Sequence, residues 1–234
     1  MSLWDHLGEL RRRGLTCFAA FAIALCCTYQ LYSSILSLLL NPLCRIESHC
    51  GLYVTGPADG FFIRLNVSGY SALLLVSPLL LWNAWRFITP GLRANERRYA
   101  ISFVMSSTLL FTAGTYVSTL VLPHTLQFLN SAGGREIHDI YSPSRYLSLV
   151  GVFLLLFGLA FELPVVLIGL QFAKVITPAQ LARQRRLVFL GLLMFAAFAT
   201  PSSDPFSMFA LAIPLTLFYE VSICVGRLIT RRIT

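Results

Sequence analysis

A chain of 234 residues that is 56% hydrophobic and only 12% charged departs from soluble domains, in which about a quarter of residues are charged. Its net charge of +8 does not describe a nucleic-acid binder, because those cluster Lys and Arg on a solvated face, whereas here no Asp, Glu, Lys or Arg falls between Arg13 and Arg45, Arg64 and Arg86, or Arg98 and Arg135. Apolar runs of about 20 residues match a hydrocarbon core of about 30 Å, and with no strand-like alternation the spans are helices, so the chain reads as an all-α polytopic membrane protein.

Met1 to Arg13 predicts an amphipathic basic start, capped by Ser2 or Asp5, that carries Glu9, Arg11, Arg12 and Arg13. A first span follows over residues 15–38. Arginines ahead of an apolar run also fit a signal peptide, even one of twin-arginine type. The run is longer than a signal core, no clear small-Xaa-small cleavage site follows it, and more spans come after, so it reads as a span.

Asn41 to Phe62 predicts a loop rich in Pro and Gly that holds Cys44 and Cys50. The second span covers residues 65–87, with Pro78 inside it as a kink. A polar elbow, Trp85 to Arg98, then crowds four arginines around one acid, Glu96. The third span is expected over residues 101–122 with Pro123 marking its end, and Gln127 to Arg145 as a polar loop. The fourth, residues 146–172, contains the only mid-span acid, Glu162, directly before Leu163-Pro164. After a basic linker, Lys174 to Arg186, the last pair is expected at residues 187–199 and 206–225. Thirteen helical residues reach only about 20 Å, so this final hairpin is expected to be short. No internal repeat supports an inverted-repeat transporter.

Six spans sort the basic residues unevenly. One side holds fourteen (Arg11, Arg12, Arg13, Arg86, Arg93, Arg97, Arg98, Lys174, Arg183, Arg185, Arg186, Arg227, Arg231, Arg232) and the other holds four (Arg45, Arg64, Arg135, Arg145). Positively charged segments stay on the cytoplasmic side, which predicts both termini and the elbow there. The whole chain, residues 1–234, is expected to form one membrane domain.

Few residues carry chemistry. The four histidines show no metal-ligand spacing, no nucleophile–base pair is visible, and so neither enzyme, metal nor cofactor is expected. Cys44 and Cys50 permit a disulfide on an oxidising exterior, or two free thiols. Glu162 costs several kcal/mol in an apolar span unless it is hydrogen-bonded to a neighbouring helix or faces a wet, concave surface, by about any scale. Asp204 suits a cap on the last helix, and Glu220 a partner for Arg227 or a tail arginine. Glu9 and Glu96 lie in cytoplasmic segments among arginines. Each pairs locally with Arg12, Arg13 or Arg97, or the two together hold a guanidinium-rich ligand, since carboxylates take arginine through planar bidentate bonds.

Several motifs then converge on one family. His6-Leu7-Gly8-Glu9-Leu10-Arg11, Trp85 to Leu92, Asn95-Glu96-Arg97-Arg98, Phe157 to Pro164, Thr200 to Asp204, and Ala212-Ile213-Pro214 stand in the order in which they occur in TatC, the multi-spanning receptor of the twin-arginine protein translocase. The chain resembles that family over nearly its whole length. The resemblance implies a glove-shaped bundle of six helices with a concave face, in a cell inner membrane. It places Glu9 and Glu96, with Arg11 and Phe87 beside them, at the positions that receive the signal's arginines. Glu162 matches the polar position of the concave face, and Asp204 that of the last outer loop. Partners implied are single-span proteins of the TatA/TatB type near the last two helices, twin-arginine signal peptides of folded cargo, and membrane lipid. An oligomer is expected, with transport driven by the proton-motive force. Asn83 departs from the family's glutamine shortly before Trp85 but keeps an amide. The competing reading is a small-solute or proton-coupled transporter that uses Glu162 as its carrier.

Overall fold

The computed structural model describes residues 3–44, 56–88, 100–132, 142–200 and 204–233. Every regular element among them is a helix: α1 (Leu3–Gln30), α2 (Tyr32–Cys44), α3 (Asp59–Ile88), α4 (Ala100–Ala132), α5 (Pro143–Ala160), α6 (Leu163–Phe172), α7 (Pro178–Arg183), α8 (Arg185–Ala199) and α9 (Pro205–Ile233). Four stretches are long and apolar enough to cross a membrane: Asp59–Arg86, Ile101–Ser131, Pro143–Phe172 and Pro205–Leu228. This is a multi-pass membrane protein.

Three expectations need correction. The first span is not one straight helix, because α1 and α2 meet at a 77° bend. Arg64 of α3 supplies the reason. Its guanidinium donates to the Tyr29 carbonyl (3.0 Å) and lies 4.0 Å from the Tyr29 ring centroid and 5.4 Å from that of Tyr32. A carbonyl beside a break thus finds a donor from a neighbouring helix, which lipid could not provide. The third span does not stop at Pro123. The helix carries that proline inside it and runs on to Ala132, as membrane helices tolerate when neighbouring groups take up the freed backbone. The fourth span stands as one stretch, Pro143–Phe172, with a turn at Phe161 and Glu162 where α5 passes into α6. Finally, only α8 is short: its 15 residues span about 22 Å, whereas α9 has 29 residues and continues past the arginines because nothing in the tail breaks a helix.

The chain divides into two compact units, Met1–Thr108 with Ile140–Gly151, and Leu109–Asp139 with Val152–Thr234. In the first, α1 packs on α3 through small residues, with Ala24, Ala72 and Val76 buried together. Small side chains let two helices approach closely where no hydrophobic force drives them together. The Thr28 hydroxyl donates across this contact to the Ser68 carbonyl, 2.9 Å away. On α5, the Tyr146 hydroxyl reaches the Leu39 carbonyl of α2 at 2.9 Å.

In the second unit α4 meets α5 through paired glycines. A Cβ on Gly114 would stand 2.5 Å from the Phe157 carbonyl oxygen, and one on Gly158 would stand 2.8 Å from the Phe111 ring. Around α9, Leu181, Tyr219 and Ile223 form a buried cluster, and the Tyr219 hydroxyl donates to the Leu181 carbonyl at 2.7 Å. Gln171 of α6 donates to the Ser222 carbonyl of α9 at 3.1 Å. The turn after α6 places Lys174 at φ 59, where Val175 N–H bonds back to Leu170 O and closes the helix end. α7 starts on a capping box between Thr177 and Gln180.

Gly114→Ala is expected to destabilise by about 1–3 kcal/mol, because a backbone oxygen cannot move aside as a side chain can. Gly191→Ala, where nothing lies within 4 Å of the added methyl, should instead be neutral or stabilise by up to about 1 kcal/mol. Thermal unfolding of the two variants in detergent separates them.

Candidate functional site

The N-terminal turns of α1 hold the first candidate. Glu9 and Arg13 are one helical turn apart and form an ion pair, with both side chains partly exposed. The other end of the Arg13 guanidinium donates to the Asn83 carbonyl of α3 at 3.3 Å. One arginine therefore ties a carboxylate of α1 to the last turns of α3. Arg11 and Arg12 point outward and are exposed. Of the two local pairings open to Glu9, the structure adopts the one with Arg13, and nothing in the sequence motif alone selects it over Arg12.

The elbow that follows α3 is anchored at both feet. Trp85 is buried, stacks on Phe103 of α4 with ring centroids 5.0 Å apart and planes 19° apart, and donates its indole N–H to Ser107 Oγ at 3.1 Å. A tryptophan needs such an acceptor when it is buried. The last turn of α3 and the first turns of α4 are thereby fixed against each other. Glu96 belongs to the intervening residues and lies outside the described residues. So does the side chain of Phe87, whose backbone belongs to α3. The side chain of Cys44, whose backbone ends α2, and the whole of Cys50 likewise lie outside the described residues, and their pairing with them.

Glu162 sits at the junction of α5 and α6, where Pro164 in the first turn of α6 permits the chain to restart as a helix. It is 6% exposed, and its side chain makes no capping bond to α6. Beside it, Phe161 packs edge-on against Phe218 of α9, with ring centroids 4.8 Å apart. The acid is therefore buried at the α5–α6 junction.

Asp204 is a helix cap. Its Oδ1 accepts from Ser207 N–H at 2.7 Å, its Oδ2 accepts from the Ser207 hydroxyl, and its carbonyl starts the ladder of α9 at Met208. With Pro205 in the first helical position this is a complete N-terminal cap. Glu220 pairs with Arg185 of α8 (2.8 Å) rather than with Arg227 or a tail arginine, because α8 runs back alongside α9 and brings its first turn level with Glu220. His124 lies exposed inside α4, with Nδ1 3.1 Å from the Leu120 carbonyl and its ring stacked on Phe206. Asn83 and Arg64 make polar contacts that no sequence pattern pointed to, whereas Arg13 was among the local partners expected for Glu9.

Residues 5–214 match the family model described as Sec-independent protein translocase protein (TatC). The protein of that name from Frankia casuarinae is 38% identical over 245 residues, which cover 100% of this chain and 67% of the relative. The Corynebacterium kroppenstedtii protein is 32% identical, and the match covers 99% of the chain and 63% of the relative. The Aquifex aeolicus protein is 34% identical, with 99% and 97% covered. Among solved structures, a crystal structure of the twin-arginine translocase receptor TatC is similar with a TM-score of 0.82 at 34% identity, over 96% of this chain and 99% of that one.

Asp204→Ala is expected to cost about 1 kcal/mol by leaving the first turn of α9 uncapped, with Asp204→Asn recovering most of it. Melting temperatures of the purified variants give the comparison.

Proposed function

The chain belongs to the TatC family of Sec-independent protein translocase proteins, and from that premise we propose that it is the receptor subunit of a twin-arginine translocase, with no catalytic chemistry of its own. The likeness to the twin-arginine translocase receptor over 96% of the chain carries this reading. It works as one membrane domain of six spans: the bent α1–α2 pair, α3, α4, α5 with α6, α8 and α9. Both termini lie on the cytoplasmic side of a cell inner membrane, as the fourteen-to-four division of basic residues favours.

The two arginines of a signal peptide bind Glu9 and Glu96 at the cytoplasmic surface, with Arg11 and Phe87 beside them. Glu9 first has to change partner. The Arg13–Glu9 contact is a single charge-assisted hydrogen bond, whereas a planar ligand guanidinium can offer the carboxylate two. Exchange of one bond for a bidentate pair favours the ligand. Arg13 keeps its bond to Asn83 and so need not leave. The apolar part of the signal lies along the membrane-embedded face near Glu162, and Asp204 shapes the last outer loop. TatA/TatB-type single-span proteins pack by α8 and α9, the receptor assembles as an oligomer, and the proton-motive force drives passage of the folded cargo.

Two experiments test this. Glu96→Ala is expected to abolish export of a twin-arginine cargo in cells that depend on this chain, and normal export with both Glu9 and Glu96 replaced contradicts the site. Arg13→Gln should strengthen binding of a twin-arginine peptide about twofold, the loss of one competing ion pair. If binding falls instead, Arg13 builds the site rather than competing for it.

A further inference from the structure

A groove of about 680 Å³ opens between α8 and α9, a size within the about 300–1,000 Å³ of small-molecule sites. Its walls are apolar, with Phe189, Ile213 and Leu217 each more than half exposed along it. Its rim at the first turn of α8 carries Arg185, Arg186 and Glu220. Arg185 is bound to Glu220 at 2.8 Å, while no carboxylate among the described residues stands within ion-pair range of Arg186. Two guanidiniums against one carboxylate leave the rim with one net positive charge.

We propose that this groove is a binding site for one anionic phospholipid, with its phosphodiester at Arg186 and an acyl chain between Phe189, Ile213 and Leu217. Basic pockets between membrane helices recognise anionic headgroups, and a charged rim above an apolar slot has the polarity of a lipid from head to tail. A transmembrane helix fits the groove less well. Helices associate in lipid through Gly, Ala, Ser and Thr, of which the lining holds Thr216 alone, so the single-span partners proposed above belong on other faces of α8 and α9 and not in this groove. Arg185 acts as a reserve: it neutralises Glu220 now and is the second cation available to the phosphodiester.

The full chain, purified in detergent, is equilibrated with mixed micelles of phosphatidylglycerol and phosphatidylcholine, and retained lipids are counted by native mass spectrometry. The wild type is expected to retain phosphatidylglycerol in preference. Arg186→Gln should lower that preference about fivefold, and Glu220→Gln should raise it by releasing Arg185, a gain that loss of folding cannot mimic. Leu217→Trp, which fills the slot, should reduce retention of both lipids. Inorganic phosphate at the lipid's concentration should displace neither. The assignment is overturned if the wild type shows no preference, if Arg186→Gln leaves the preference unchanged, or if phosphate displaces the lipid and marks a bare anion site. Displacement by an equimolar synthetic apolar helix also overturns it, because the groove is then a helix-docking face.

Discussion

Lipid offers no hydrogen-bond partner, so each polar group inside an apolar span must find one within the chain. That constraint organises the molecule. Thr28 reaches the Ser68 carbonyl, Gln171 the Ser222 carbonyl, Trp85 the Ser107 hydroxyl and Tyr219 the Leu181 carbonyl. Each bond joins two helices, so satisfying a polar group and fixing a helix pair are one event. Arg64 is the extreme case, because its guanidinium accompanies a change of direction between α1 and α2. Where such a pair is surrounded by lipid, no water competes for it.

At the α1–α3 junction the same chemistry has the opposite consequence. Glu9 and Arg13 lie next to the basic N-terminal turns, within reach of water, where an ion pair is worth little and another guanidinium can take its place. Exchangeable partners suit recognition, as permanent ones suit architecture. Trp85 connects the two regimes. Buried and stacked on Phe103, it holds the feet of the elbow that carries Glu96.

The apolar runs were legible in the sequence because a membrane helix needs length and the absence of charge, both of which are local properties. The start of α9 was legible too, since Asp204-Pro205 with Ser207 is a cap written in consecutive residues. What depends on a second helix was not. The bend beside Leu31 needs Arg64 from α3, and the pairing of Glu220 with Arg185 needs α8 folded back along α9. Pro123 misled because a proline stops a helix in water more reliably than in a membrane bundle. For the candidate site, the motif marked Glu9 and Glu96 as a pair of carboxylates among arginines. Arg13 was among the partners expected for Glu9, but the Asn83 carbonyl that steadies it became visible only once α1 and α3 were packed together.

The proposed pair of carboxylates reads arginine through its planar, two-pronged geometry and not through charge alone. The direct measurement is a binding titration of the purified full chain with a twin-arginine signal peptide and with the same peptide carrying two lysines. Saturable binding of the arginine peptide, with the lysine peptide at least about tenfold weaker, is the predicted result. Equal affinity for both peptides, or binding of neither, would contradict it.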